Sequence, residues 1–517
     1  VKTGGQRPPL QLRDCEPDAA PFRENMQRRL ITRVILVAAA SLLTAASLDA
    51  RNLPPLVPQP APVVVPAPVA ETLGNGMKVV MVENHALPVV TLKLAIRTGA
   101  EADPAGLPGT AQFVASLLDE GTRTRSAQEI AEAVDGMGGV FDSGADWDDS
   151  WASLSVLSNH AQRAFDLLSD MVINPAFRPA EVERIRRQTL SALDVLRRDP
   201  GYLADTLLER VIFSGTPYSH PKDGVRESVR RLSRGDLARF HDRYYQPSNA
   251  VLVVVGDISA AQAIDLARSV FGAWKTSEAP PPARNPPPGA MPESRRVVVI
   301  DDPNAVQTEI RIASPAVSRN SPEYDALTAA NQVLGGPAEN RLFSVLRIRR
   351  GLVYGASSNL VCYRNAGAWE IKTSTRTSET VKTVNLILRQ MSDLEDHSIN
   401  GKELQNAQNY LVGHMALDFE TSQQIADHVL SLMIDDLPMD TWNHKAEKIQ
   451  SLSIEDISAA ARQYLNPDHA AIIMVGNAAE FKDDLKSLGP ARIIPLADVD
   501  FASSTLEQPS QSANGEH

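Results

Sequence analysis

Two stretches decide how this chain is organised: Leu232–Gly256, LSRGDLARFHDRYYQPSNAVLVVVG, and Leu452–Gly476, LSIEDISAAARQYLNPDHAAIIMVG. Leu232, Ser233, Asp236, Tyr244, Pro247, Ala250, Val255 and Gly256 recur 220 residues later, without a gap, as Leu452, Ser453, Asp456, Tyr464, Pro467, Ala470, Val475 and Gly476. Eight coincidences at one offset mark an internal duplication. Both copies read alike: Leu-Ser-x-x-Asp caps a helix, a proline turns the chain, and an apolar run (Ala250–Val255, Ala470–Val475) has the character of a strand. The chain is therefore expected to be two copies of one α+β unit of about 200 residues each.

Working outward, the unit begins with strand-like alternation at Lys78–Val82 and Val89–Ile96 and continues with helical spacing at Gly109–Leu118, Ser126–Gly136, Ala161–Ile173 and Pro179–Leu196. Strands mixed with helices favour a sheet covered on one face by helices. A Pro-rich stretch from Pro280 to Pro292 separates the copies, giving an N-terminal unit at 71–279, a linker at 280–295 and a C-terminal unit at 296–497. Residues 498–517 lack apolar periodicity and are expected to be a disordered tail.

The first 25 residues read as an upstream extension. From Met26 the chain offers three arginines and then a 13-residue apolar run, Val34–Ala46. That is short of the ~20 residues needed to span a bilayer, so residues 26–50 are expected to be a secretory signal peptide, which points to the periplasm of a Gram-negative bacterium. Residues 51–70 are a Pro-rich spacer.

Composition narrows the function classes. With 43% hydrophobic and 22% charged residues the chain is neither wholly disordered nor fibrous. Its net charge of −12 argues against broad binding to nucleic acid and leaves room only for a local basic patch. Two cysteines, Cys15 and Cys362, cannot make a disulfide scaffold or a thiolate zinc site, so any metal would need His and carboxylate ligands.

Leu73-Gly-Asn-Gly-Met-Lys-Val79, Gly106-Leu-Pro-Gly-Thr-Ala-Gln-Phe-Val-Ala-Ser116 and Gly121-Thr-Arg-Thr-Arg-Ser126 resemble successive motifs of the M16 (insulinase/pitrilysin-like) zinc peptidase family, and the resemblance runs to about Gly476. It implies the LuxS/M16 metallohydrolase-like fold, with two tandem α/β sandwich-like units of antiparallel or mixed sheet. The family's inverted zinc motif His-x-x-Glu-His puts two ligands four residues apart on one helix face, with the Glu activating the metal-bound water. Here those positions hold Gln112, Ala115 and Ser116. The family's third ligand, a Glu on a later helix, falls at Ala192, 80 residues after Gln112. The ten histidines are scattered and make no alternative motif. No cofactor is expected in this chain.

The second copy retains a different family feature. Leu334-Gly-Gly336 and Asn340-Arg-Leu-Phe-Ser-Val-Leu-Arg-Ile-Arg-Arg-Gly-Leu-Val-Tyr354 resemble the M16 signature whose Arg and Tyr reach toward substrate. The positions here are Arg347 and Tyr354, seven residues apart, with Gly351 expected to end the helix. The family includes paired subunits, as in bacterial heterodimers and mitochondrial processing peptidase, where one chain carries zinc and the other does not. The resemblance thus implies a non-catalytic subunit that meets a zinc-bearing M16 homologue and a peptide substrate. A scaffold homologue with no part in peptide cleavage is the alternative.

Overall fold

The computed structural model describes residues 67–276, 294–337, 339–396, 399–503 and 505–507. The expected extension, signal peptide, linker as far as residue 293, most of the spacer and the last ten residues lie outside the described residues. In the first half the elements are β1 (Val69–Thr72), β2 (Lys78–Glu83), β3 (Val89–Ile96), α1 (Thr110–Ala115), α2 (Ala127–Asp135), β4 (Val140–Ala145), β5 (Ser150–Leu157), α3 (Ala161–Ile173), α4 (Pro179–Leu196), α5 (Pro200–Ile212), α6 (Arg226–Arg231), α7 (Arg234–Tyr244), β6 (Ala250–Gly256) and α8 (Ala260–Phe271). The second half follows the same plan: β7 (Arg296–Asp301), β8 (Gln307–Ala316), α9 (Tyr324–Gly335), a π-helix (Phe343–Arg349), β9 (Val353–Cys362), β10 (Gly367–Arg376), α10 (Thr380–Glu395), α11 (Gly401–His414), α12 (Ser422–Ile434), α13 (Thr441–Ser451), α14 (Ile454–Tyr464), β11 (Ala471–Gly476) and β12 (Ala491–Pro495).

The strand orders are β1-β2-β6-β3-β5-β4 and β12-β7-β11-β8-β10-β9. Both sheets are mixed. The repeated stretch fills the same slot in each: β6 lies parallel to β2 and antiparallel to β3, and β11 lies parallel to β7 and antiparallel to β8. Its capping boxes form as the sequence predicts, Ser233 with Asp236 and Ser453 with Asp456. The repeated glycine has a packing reason. A Cβ on Gly256 would lie 2.1 Å from the Val89 carbonyl oxygen, and one on Gly476 would lie 2.4 Å from Thr308 Oγ1. One slot is filled from opposite ends of the chain: β1 runs antiparallel to β2, whereas β12 runs parallel to β7. The last two residues of the expected spacer, Val69 and Ala70, already belong to β1 because they pair with Met81 and Val80.

Each sheet carries its own helices on one face, as expected. The opposite face is covered by a helix of the other half. On the first sheet, Val80, Val82, Val251, Val253 and Val255 pack against Ile425, Val429, Leu430 and Ile434 of α12. On the second, Ile300, Ile473 and Val475 pack with Leu203, Leu207 and Val211 of α5. The exchange explains why every residue of β6 and β11 is buried: neither face meets water. Burying a large aliphatic side chain contributes roughly 1.5–3 kcal/mol. Four on α12 therefore outweigh the ion pair of Lys93 with half-exposed Asp427, which at such a site contributes about 1 kcal/mol or less.

The described part of the segment expected as a disordered tail, residues 498–503 and 505–507, departs from that reading. Val499, Phe501 and Leu506 are buried in the same core as α5, and Arg210 donates a hydrogen bond to the Ser503 carbonyl. These apolar residues insert one at a time from irregular backbone, so no periodicity announces them.

Candidate functional site

The first candidate position lies on α1. Gln112 Oε1 accepts the Ala145 N–H at 2.8 Å, fastening the helix to the end of β4. Its amide nitrogen is 3.4 Å from Ser116 Oγ, and that hydroxyl donates to the Gln112 carbonyl at 2.8 Å. Ala115 is buried, and its carbonyl accepts from Ser143 Oγ at 3.0 Å. Gln112 and Ser116 are thus brought together, with their polar atoms engaged locally. Ala192 lies on α4, seven residues beyond buried Ile185 and so on nearly the same helix face, but exposed and carrying only a methyl group. An amide committed to the backbone, a hydroxyl and two methyl groups do not fit a zinc ion, which requires imidazole, thiolate or carboxylate donors. Among the described residues, no group of three or more His, Cys, Asp or Glu side chains is arranged to hold a metal ion.

One group beside this position escaped the sequence reading. Burial, and then neighbouring Glu120, push the Asp119 carboxyl up to about 6. Nothing in its spacing signals this, because the shift depends on what tertiary packing leaves around it. Three of the histidines make structural contacts: His220 Nε2 meets the Ala100 carbonyl at 3.0 Å, His241 Nε2 meets the Val172 carbonyl at 2.8 Å, and His428 packs tilted against Phe419 and edge-on against Trp442.

The second candidate position is built around the π-helix. Asn340 Oδ1 accepts the Phe343 N–H at 2.8 Å and starts the helix, while Arg341 clamps Glu403 through two 2.8 Å hydrogen bonds. Gly351, at φ +59°, ends it as expected: the Gly351 N–H reaches the Arg347 carbonyl at 3.1 Å, and the Leu352 N–H reaches the Leu346 carbonyl at 2.9 Å. The sequence signals a helix here but not its wider π-turn. The chain then enters β9, the outermost strand of the second sheet. Arg347 Nη1 donates to the Tyr354 carbonyl at 2.6 Å, and its guanidinium carbon sits 4.6 Å from the Tyr354 ring centroid and 5.1 Å from that of Phe343. Tyr354 is 84% exposed, and its hydroxyl has no hydrogen-bond partner among the described residues. The structure therefore unites the two predicted residues and leaves their remaining donors facing solvent. Such donors can hold a carbonyl oxygen or a developing oxyanion.

A family model for insulinase, peptidase family M16, matches residues 78–222, and one for the peptidase M16 inactive domain matches residues 231–411. The chain belongs to peptidase family M16. An uncharacterized zinc protease of Mycobacterium leprae is 25% identical to this M16 chain over 405 residues, which cover 78% of this chain and 90% of that one. The non-peptidase homolog YmxG of Helicobacter pylori is 22% identical over 409 residues, 78% of this chain and 93% of that one. Among solved structures, a peptidase M16 inactive domain from Pseudomonas fluorescens superposes with a TM-score of 0.75 at 28% identity, covering 79% of this chain and 97% of that chain. Within M16, residues 231–411 of this chain are of the inactive-domain type.

Proposed function

We propose that this M16 homologue is the non-catalytic subunit of a heterodimeric zinc peptidase in the periplasm, exported by the leader at residues 26–50. It lends Arg347 and Tyr354 to the active site of a zinc-bearing M16 partner that degrades peptides. The observation that carries the reading is the contrast in donor availability: the metal position is replaced by side chains bonded to their own backbone, whereas Arg347 is held against an exposed Tyr354 on an edge strand. In the complex, the guanidinium and phenol hydroxyl donate to the carbonyl of the bond to be cut. They orient it and stabilise negative charge as it develops. Zinc and the general base belong to the partner.

Metal analysis and a peptide-cleavage assay on the purified chain test this directly. The expected result is no stoichiometric zinc and no cleavage; one tightly bound zinc with turnover sinks the proposal. The alternative, a scaffold with no part in cleavage, is favoured by the similarity to a non-peptidase homologue and to an inactive M16 domain. It gives no role to an arginine stacked on an exposed tyrosine.

A further inference from the structure

We propose that the seam between the two halves holds a binding site for a multiply charged, phosphate-bearing anion, formed by Arg210, Arg295, Arg296 and Arg492. All four line one cavity of about 460 Å³ between α5 and the starts of β7 and β12, with Ser214 beside them. Among the described residues that line it there is no Asp or Glu, although Asp468 and Glu507 reach two of the arginines from its rim, in a chain whose net charge is −12. It is a local basic patch of the kind the overall charge leaves room for, and it is separate from Arg347 and Tyr354.

The guanidinium groups are prepared for an anion in different ways. Arg295 is fixed by the Pro467 carbonyl at 2.8 Å, the Leu488 carbonyl at 3.2 Å and exposed Asp468 at 2.8 Å. Arg210 is fixed by the Ser219 carbonyl at 3.0 Å and by the Ser503 carbonyl. A guanidinium has five N–H donors, so both keep donors to spare in positions already ordered. Arg296 is exposed and makes no ion pair or side-chain hydrogen bond among the described residues. Arg492 grips Glu507 with both oxygens, Nε to Oε1 at 3.2 Å and Nη2 to Oε2 at 2.6 Å. The chain's own C-terminal segment thus seats an oxyanion on one of the four. Glu507 and exposed Asp468 already pair with Arg492 and Arg295, whereas Arg210 and Arg296 make no ion pair among the described residues; a ligand with several charged oxygens can serve those two and share the spare donors of the others, and Arg favours phosphate for its fork geometry. Because Arg210 comes from the first half and the others from the second, a bound anion ties the halves together.

The phosphate can come from a soluble polyphosphate or from an anionic lipid headgroup. The test uses the full chain, with inorganic tripolyphosphate at constant ionic strength and, separately, vesicles of phosphatidylcholine with and without phosphatidylglycerol. Tripolyphosphate is expected to raise Tm by about 2 °C or more, beyond a sodium chloride control of equal ionic strength. Arg296→Gln, at an exposed residue with no partner among the described residues, should melt like the wild type without ligand and bind about 5-fold or more weakly, while Glu507→Gln, which removes the internal competitor, should bind more tightly. Binding to anionic vesicles without a tripolyphosphate effect, lost in Arg296→Gln, assigns the phosphate to a headgroup. No response to either ligand, or a response that Arg296→Gln leaves unchanged, overturns the site.

Discussion

The Gln112/Ser116 position on α1 and the Arg347/Tyr354 position, which joins the π-helix to β9, sit in related halves of one duplicated fold, yet they treat their polar atoms in opposite ways. On α1, Gln112 and Ser116 hydrogen-bond to the protein itself. At the other position, Arg347 of the π-helix uses one donor to fix its own orientation and Tyr354 of β9 offers its hydroxyl to solvent. Losing a metal site calls for more than deleting ligands, because the substitutes must satisfy or avoid buried polar groups. Keeping a substrate contact requires that some hydrogen-bonding capacity stay unsatisfied until substrate arrives. The two positions therefore differ in whether their polar atoms are engaged by the protein or left open to solvent.

The largest effect should appear on the β9 side. In the complex with a zinc-bearing partner, Arg347→Ala or Tyr354→Phe is expected to lower kcat/KM by roughly 10-fold or more, the scale of one lost transition-state hydrogen bond; steady-state kinetics that match the wild type would remove the pair from catalysis. On the α1 side, Gln112→Ala strips the Ala145 N–H of its acceptor and should destabilise the isolated chain by about 1–2 kcal/mol in urea unfolding. Equal stability would show that water replaces the amide and that Gln112 is no structural substitute.

Asp119 sharpens the same side through pH. Its folded carboxyl is raised above its ordinary value of 3.8 to about 6, so its unfavourable burial as an anion is absent below about pH 4 and develops as pH rises through 6. Asp119→Asn should then raise Tm at pH 7.5, by an amount equivalent to about 1 kcal/mol, and have little effect at pH 4. A benefit that is the same at both pH values contradicts the assignment. The smallest expected change is in the isolated chain carrying Arg347→Ala, whose unfolding free energy should stay within about 0.5 kcal/mol of the wild type, because an exposed side chain is being removed. A larger loss would make Arg347 a structural residue and dissolve the contrast.

Much of the architecture was legible in the sequence, because the repeat at Leu232 and Leu452 and the helical spacing of Pro179–Leu196 are local patterns that local physics preserves. The exchange of α5 and α12 between halves was not. An apolar helix face such as Leu203, Leu207 and Val211 declares that it will be buried without declaring by what. The same limit hid the packing of Val499, Phe501 and Leu506. At the candidate site, spacing from family motifs placed Gln112, Ser116, Arg347 and Tyr354. The hydrogen bond from Ala145 to Gln112 and the π-turn before Gly351 depend on neighbours distant in sequence or on backbone geometry that several helices could share.

The central claim is that this chain completes another chain's active site. It is tested most directly by measuring peptide cleavage by the zinc-bearing homologue alone and after titration with this chain. The account predicts activity that rises with added chain to a stoichiometric endpoint and is absent from either protein alone. Full activity in the homologue alone, unchanged by the titration, would contradict it.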